Sequence, residues 1–257
     1  MDYLIVILVA LAGSCLSFFS GFGLGTLLLP AFLLFFPIEI AVAATAVVHM
    51  LNNVFKLFLV GKYADWKIVR TFGLTSIVGA LLGAWLLGEM GDLGVLTTYK
   101  LWGKVFTIEV FKLIMAILIA TFTIFEAIPR FKEMVLPSAW LPVGGLISGF
   151  FGGLSGHQGA LRSAFLIKAG LSKESFMGSR VVIAMMVDTT RIFVYAFYIK
   201  TFWNEMDIPL ISLAAVSAFS GAWLGNKWMK STTLEVVHAI VTATLLIFAV
   251  LLGAGII

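Results

Sequence analysis

The sequence predicts an all-α polytopic membrane protein of two inverted four-element repeats, each opening with a glycine-broken re-entrant helical hairpin, about eight membrane elements in all. Three observations carry this. The chain of 257 residues is 61% hydrophobic and 12% charged, with a mean hydropathy of +1.10, which excludes a soluble globular domain. Its apolar pattern runs through twice, with glycine clusters at matched places. The basic residues also favour one face of the membrane, provided that the first element of each half turns back.

The first apolar region runs from Tyr3 to Phe36 and is interrupted by Ser20-Gly21-Phe22-Gly23-Leu24-Gly25. As one helix it would be about 51 Å long against a hydrocarbon core of about 30 Å, so a fold-back is expected there. Asp2 is the only early charge and no basic n-region precedes the stretch, so it reads as structure and not as a removable leader. Further spans follow at Ile38 to Val60 and Thr71 to Leu87. A loop with Glu89, Asp92, Lys100 and Lys104 then leads to a fourth span from about Val105 to Phe125.

After Arg130, Lys132 and Glu133 the pattern restarts: Ala139 to Ala169, broken at Gly152-Gly153-Leu154-Ser155-Gly156, then Ser175 to Ile199, Ile208 to Trp228 and Leu234 to Ile257. Gly83-Ala84-Trp85 lines up with Gly221-Ala222-Trp223, and Gly21/Gly25 with Gly152/Gly156. The chain is therefore read as one membrane transport domain, residues 1–257, made of repeats 1–128 and 139–257. The matched Gly-Ala-Trp segments are expected to be helix-packing sites, because small residues let membrane helices approach closely.

With both first elements re-entrant, one face holds Lys62, Lys67, Arg70, Arg130, Lys132, Lys168, Lys173, Lys227 and Lys230, and the other Lys100, Lys104, Lys112 and Lys200. With both crossing, the division is 6 against 7, which is no bias. The positive-inside rule thus favours hairpins, inverted repeats and both termini outside the cytoplasm. The tryptophans agree: Trp66, Trp140 and Trp228 fall on the inner side of this arrangement, and Trp102 and Trp203 on the outer. The location expected is the cell membrane, the inner one in a bacterium.

Glycine-broken segments at matching places in two halves point to a transporter's binding site. In the inverted arrangement the two turns reach the midplane from opposite sides, and each returning half-helix starts there with free N–H groups and a positive dipole end. Two such ends form an anion site. Gly23, Gly25 and Thr26 would supply the first, and Ser155, Gly156, His157, Gln158 and Gly159 the second. The competing reading of the glycines is tight packing alone.

Each following span carries a polar stripe: Thr45, His49, Asn52, Asn53 and Lys56 in the first half, and Arg180, Asp188, Arg191 and Tyr195 in the second. Ionisable residues inside a membrane mark substrate paths or proton relays. His49, Asn52, Asn53, Arg162 and Arg191 are the expected further anion ligands, guanidinium being a fork matched to oxyanions. His49, His157 and Asp188 are candidates for proton coupling. Lys56 and Arg180 have two readings, cavity lining or snorkelling to the surface. Asp188 and Arg191, three apart, also read as a structural ion pair.

Cys15 is the only cysteine and His49, His157 and His238 the only histidines, so neither internal disulfides nor a metal site is expected. No nucleophile-base pair, phosphate loop or basic stripe is present, so an enzyme, a cofactor and a nucleic-acid partner are not expected either. The partners are a small anion and the lipid bilayer.

The duplicated glycine turn, the matched Gly-Ala-Trp segments and the block from Leu171-Ser172 to Arg180 resemble the sulfite exporter TauE/SafE family over essentially the whole chain. The resemblance implies export of sulfite or an organosulfonate such as sulfoacetate, and two intertwined four-element modules whose first elements turn back in the membrane. Where members of that family often continue the second turn with glycines, this chain has His157-Gln158 and later Arg162. Related thiosulfate-uptake proteins rely on cysteines along the path, and Cys15 stands alone. An anion channel, or a transporter of another small anion such as a carboxylate, is the alternative.

Overall fold

The structure, a computed structural model, describes residues 2–17, 24–91, 93–128, 137–167, 169–199, 202–228 and 235–257. The first glycine turn, with Gly21 and Gly23, lies outside them, as do Arg130, Lys132, Lys168, Lys200 and Lys230. The chain folds as helices α1 (Asp2–Leu16), α2 (Leu24–Leu33), α3 (Ile38–Val60), α4 (Trp66–Met90), α5 (Val110–Ala127), α6 (Leu141–Ser155), α7 (Gly159–Leu166), α8 (Lys173–Tyr198), α9 (Ile208–Trp228) and α10 (Glu235–Gly253). Of these, α3, α4, α5, α8 and α9 are long and apolar enough to cross a bilayer. Side-chain caps start two of them: Asp65 accepts from the N–H groups of Lys67 and Ile68 ahead of α4, and Ser172 from that of Ser175 in α8, satisfying donors that a helix start leaves open.

Between α4 and α5 stands an antiparallel hairpin, β1 (Val95–Leu101) and β2 (Lys104–Glu109). The sequence reading put a loop and the start of the fourth span here. Trp102 and Gly103 both have positive φ, +50° and +79°, the two-residue turn that matches strand twist. The run of β-branched and aromatic residues from Val105 to Ile108 then finds partners in Thr97 to Lys100 across the ladder, which outweighs its helical alternative. Tyr99 Oη donates to the Ala254 carbonyl at 2.8 Å, tying the hairpin to the end of α10.

The bundle therefore has two distinguishable ends. At the hairpin end Glu39 at the start of α3 lies beside Gly91 at the end of α4, and Gly88 beside Tyr198 at the end of α8. At the opposite end the Gly61–Tyr63 turn after α3 lies against Gly178 near the start of α8. Lys62, Lys67, Arg70, Lys173 and Lys227 gather at this basic end, and Lys100, Lys104 and Lys112 at the hairpin end.

Helix α6 stops partway along the bundle. It starts at the basic end and runs parallel to α4, with Gly145 against Phe72, Gly149 against Ser76 and Gly153 against Ala80. It stops abreast of Gly83, about two turns short of Met90. Gly156 then caps it in the left-handed conformation (φ +81°), and α7 returns beside it, the Phe165 ring lying on Gly144. The first pair enters from the other end. Tyr3 at the start of α1 donates to Asp207 just before α9 at 2.8 Å, and α2 ends where α3 begins. Gly25 in the first turn of α2 lies against the Gly156 carbonyl, so the two folded-back elements meet tip to tip.

The halves are intertwined. The most extensive packing joins α4 of the first half to α6 of the second, and α1 of the first to α9 of the second. A side chain on Gly79, Gly83, Gly145, Gly149 or Gly153 would run into backbone of the facing helix, and one on Gly221 into the Leu11 carbonyl. Between membrane helices close approach supplies dispersion and interhelical contacts, the lipid being as apolar as the side chains. Ala84 and Ala222 are fully buried while Trp85 and Trp223 beside them are about half exposed, so the small residues pack and the tryptophans face outward.

Candidate functional site

Halfway along α3 and α8 the polar stripes face each other around Asp188, which is fully buried. Its Oδ2 receives Asn53 Nδ2 at 3.0 Å and stands 2.7 Å from His49 Nδ1. Its Oδ1 receives Arg191 Nη2 at 2.8 Å, Arg191 Nε at 3.1 Å and Gln158 Nε2 at 3.2 Å. One carboxylate thus holds α3, α8 and the tip of the second hairpin together. Arg191 continues to the Gly152 carbonyl at 3.2 Å, and Tyr195 Oη donates to that of Gly153. These contacts tie the end of α6 to α8 on the side towards the hairpin end.

On the basic side of Asp188 lies a cavity of about 50 Å³. Its polar lining is Ser17 from the tip of the first hairpin, His49, Asn53 and Lys56 from α3, Arg162 from α7 and Arg180 from α8. No Asp or Glu is among its described lining residues. Lys56 Nζ donates to Ser17 Oγ at 2.8 Å, and with its amide nitrogen turned to the Ala218 carbonyl, Asn52 accepts from Lys56 at 3.2 Å. Arg162 is 4% exposed; its Nη1 reaches Gln158 Oε1 at 3.2 Å. The Nε atoms of Arg162 and Arg180 are buried without a hydrogen-bond partner among the described residues. Buried donors left open cost about 1–3 kcal/mol each, and three cations lining one small space call for an anion.

The site residues read from the sequence do not form one group. His49, Asn53, Gln158, Asp188 and Arg191 form the carboxylate cluster, and Arg162 joins His49 and Asn53 at the cavity. Gly25, Thr26 and Gly156 sit where the tips meet, with Thr26 buried. His157 is elsewhere: it stacks on Phe122 of α5 (centroids 5.3 Å, planes 9° apart), and its Nδ1 lies 3.1 Å from Ser155 Oγ. Asn52 faces Ser14 of α1, and Gly159 has open space where a side chain would be. Gly23 lies outside the described residues. Lys56 and Arg180, left between two readings by the sequence, line the cavity; the signal for Lys56 was its place one stripe position beyond Asn53. Ser17 carried no signal.

The family model for the sulfite exporter TauE/SafE matches residues 5–252. The chain belongs to this family. No curated protein and no solved structure matches it at a significant level. As a TauE/SafE protein it is a multi-pass membrane transporter for a small sulfur-containing anion, and its cationic cavity suits that cargo chemically. In this TauE/SafE chain the turn glycines are not equivalent. Gly156→Ala is expected to lower the melting temperature clearly: a left-handed residue costs about 1–2 kcal/mol with a side chain, and its Cβ would stand 2.9 Å from Arg191 Nη1. Gly159→Ala, at the first position of α7 with free space around it, is expected to leave the melting temperature unchanged or raise it. Thermal unfolding of the two detergent-solubilised variants checks both.

Proposed function

We infer that the protein is a secondary transporter that exports a compact sulfur oxyanion, sulfite before a larger organosulfonate such as sulfoacetate, by alternating access. The carrying observation is the cavity framed by Lys56, Arg162 and Arg180, with no described carboxylate in its lining and with open guanidinium donors. Its volume of about 50 Å³ is room for about three to five waters, hence for an oxyanion of a few heavy atoms. An organic tail would need the cavity to widen. Ser17 and Arg162 bring both folded-back elements to the site, so rocking of either hairpin changes access to it.

In this reading the basic end faces the cytoplasm, by the positive-inside rule, and the cavity collects anions from that side. The contacts of Asp188, Arg191 and Tyr195 close the path towards the hairpin end. The inside-negative membrane potential then favours outward movement of the anion.

The test is sulfite binding by titration calorimetry and sulfite efflux from proteoliposomes. Arg162→Ala is expected to weaken sulfite binding about 10- to 100-fold, the worth of charge-assisted hydrogen bonds of about 1.5–3 kcal/mol, and to reduce efflux in parallel. Unchanged affinity in Arg162→Ala and in Lys56→Ala would remove the cavity as the site. Flux that follows the membrane potential without saturation would make the protein a channel, and equal binding of acetate would make the cargo a carboxylate.

A further inference from the structure

His49 and Asn53 are shared by the carboxylate cluster and the cationic cavity, and of the two His49 is the one that can take up a proton. At 2.7 Å from Asp188 Oδ2, Nδ1 must carry a hydrogen, since a bare ring nitrogen would repel a carboxylate at that distance. The edge of the ring left for a second proton is the Nε2 edge, and the His49 side chain is 13% exposed. A second link joins the same two places: Arg162 Nη1 holds Gln158 Oε1, and Gln158 Nε2 holds Asp188. Occupancy of the cavity is therefore felt at Asp188 by two routes.

We propose that His49, paired with Asp188, is a proton-binding site linked to the anion cavity, so that the protein takes up a proton when it takes up its anion and carries both. The inference rests on the cavity being the anion site. The charges around His49 set the sign. Lys56 on α3, Arg162 on α7 and Arg180 on α8 line the cavity with it and Arg191 on α8 shares its carboxylate partner, all of them cations, while Asp188 itself stands against the ring; α2 carries no charged residue. Glu126 of α5 acts on Arg180, one step removed.

With the cavity empty, cations surround the ring on its open side and the neutral imidazole is held by Asp188. An anion between Arg162, Lys56 and Arg180 offsets that positive field, and an imidazolium then has a carboxylate on one edge and an anion near the other. Linkage is reciprocal: the factor by which the anion tightens the proton is the factor by which the proton tightens the anion. The proton comes from solution on the loading side and returns to solution on the releasing side, with no covalent step. A dianion carried with one proton moves a single net negative charge, so export remains driven by an inside-negative potential.

The experiment is calorimetric titration of sulfite into the full-length protein at neutral pH, in two buffers of different ionisation heat, for wild type and His49→Gln. Sulfite's own protonation contributes equally to both, so the difference belongs to the protein. The wild type is expected to take up more protons per bound sulfite than His49→Gln, by up to about one, and the variant to bind sulfite more weakly, as reciprocal linkage requires. Equal proton uptake in two binding proteins overturns the proposal and leaves the cavity standing. No sulfite binding by wild type overturns the cavity as well.

Should His49→Gln not fold, wild type carrying isotope-labelled histidine decides. Only three histidines are present, and sulfite is expected to move one ring to the imidazolium signature, in His157→Gln as in wild type but not in Arg162→Ala. No change in any ring on saturation with sulfite overturns the proposal.

Discussion

Gly149→Val is expected to leave no folded protein, and Gly149→Ala to lose at least about 3 kcal/mol of stability. A Cβ at this position would sit inside the Ser76 backbone of α4, and the facing contacts at Gly79, Gly83, Gly145 and Gly153 are equally close. In an ordinary core an extra methylene costs about 1–3 kcal/mol because side chains shift to admit it. Here the obstacle is main chain, which moves only if α4 and α6 separate along their whole contact. Separation would also lift the α6–α7 tip from Arg191 and Tyr195, whose partners are the Gly152 and Gly153 carbonyls. Set against a typical total of 5–15 kcal/mol, this is a large fraction. Size-exclusion profiles of the variants, read beside Gly159→Ala, measure it: a monodisperse Gly149→Val peak at the wild-type melting temperature would mean that the helices are not in main-chain contact.

Part of that interface was legible: Gly83-Ala84-Trp85 read as a packing site, and Gly83 does meet α6. The glycines from Gly152 to Gly156 read as a break or as tight packing, and the stretch serves both demands, Gly153 against Ala80 and Gly156 at the break; the part of the contact at Gly145 and Gly149 was not read. The polar stripes were legible too, since spacing puts His49, Asn53 and Lys56 on one face of α3 and Asp188 and Arg191 on one face of α8. Which stripe faces which was not, because spacing along one helix carries nothing about its neighbour. Hence Gln158, Asn53 and Arg191 read as anion ligands with no sign of their hydrogen bonds to Asp188, and Asn53 lines the cavity besides. The β-hairpin was hidden by composition: Val105 to Ile108 is as apolar and β-branched as the first turn of a membrane helix, and only the Trp102-Gly103 turn distinguishes it.

Arg191→Ala is expected to cost about 3–5 kcal/mol, the usual penalty for stripping one partner from a buried ion pair. Arg191 and Asp188 are 1% and 0% exposed, and the guanidinium gives the carboxylate two of its five contacts. Its loss also frees the Gly152 carbonyl at the end of α6. The informative variant is the double one. If the cost comes from leaving a carboxylate without its cation, then Asp188→Asn added to Arg191→Ala should recover much of it, because an asparagine needs no counter-charge. If instead Arg191 matters for its grip on Gly152, the second change should recover nothing. The cycle of wild type, two single variants and the double variant, measured by reversible unfolding in mixed micelles, separates these by the sign of the interaction energy. A strongly favourable coupling between the two residues makes Asp188 the charge around which the centre of the bundle is assembled; additive costs make it one hydrogen-bond acceptor among several.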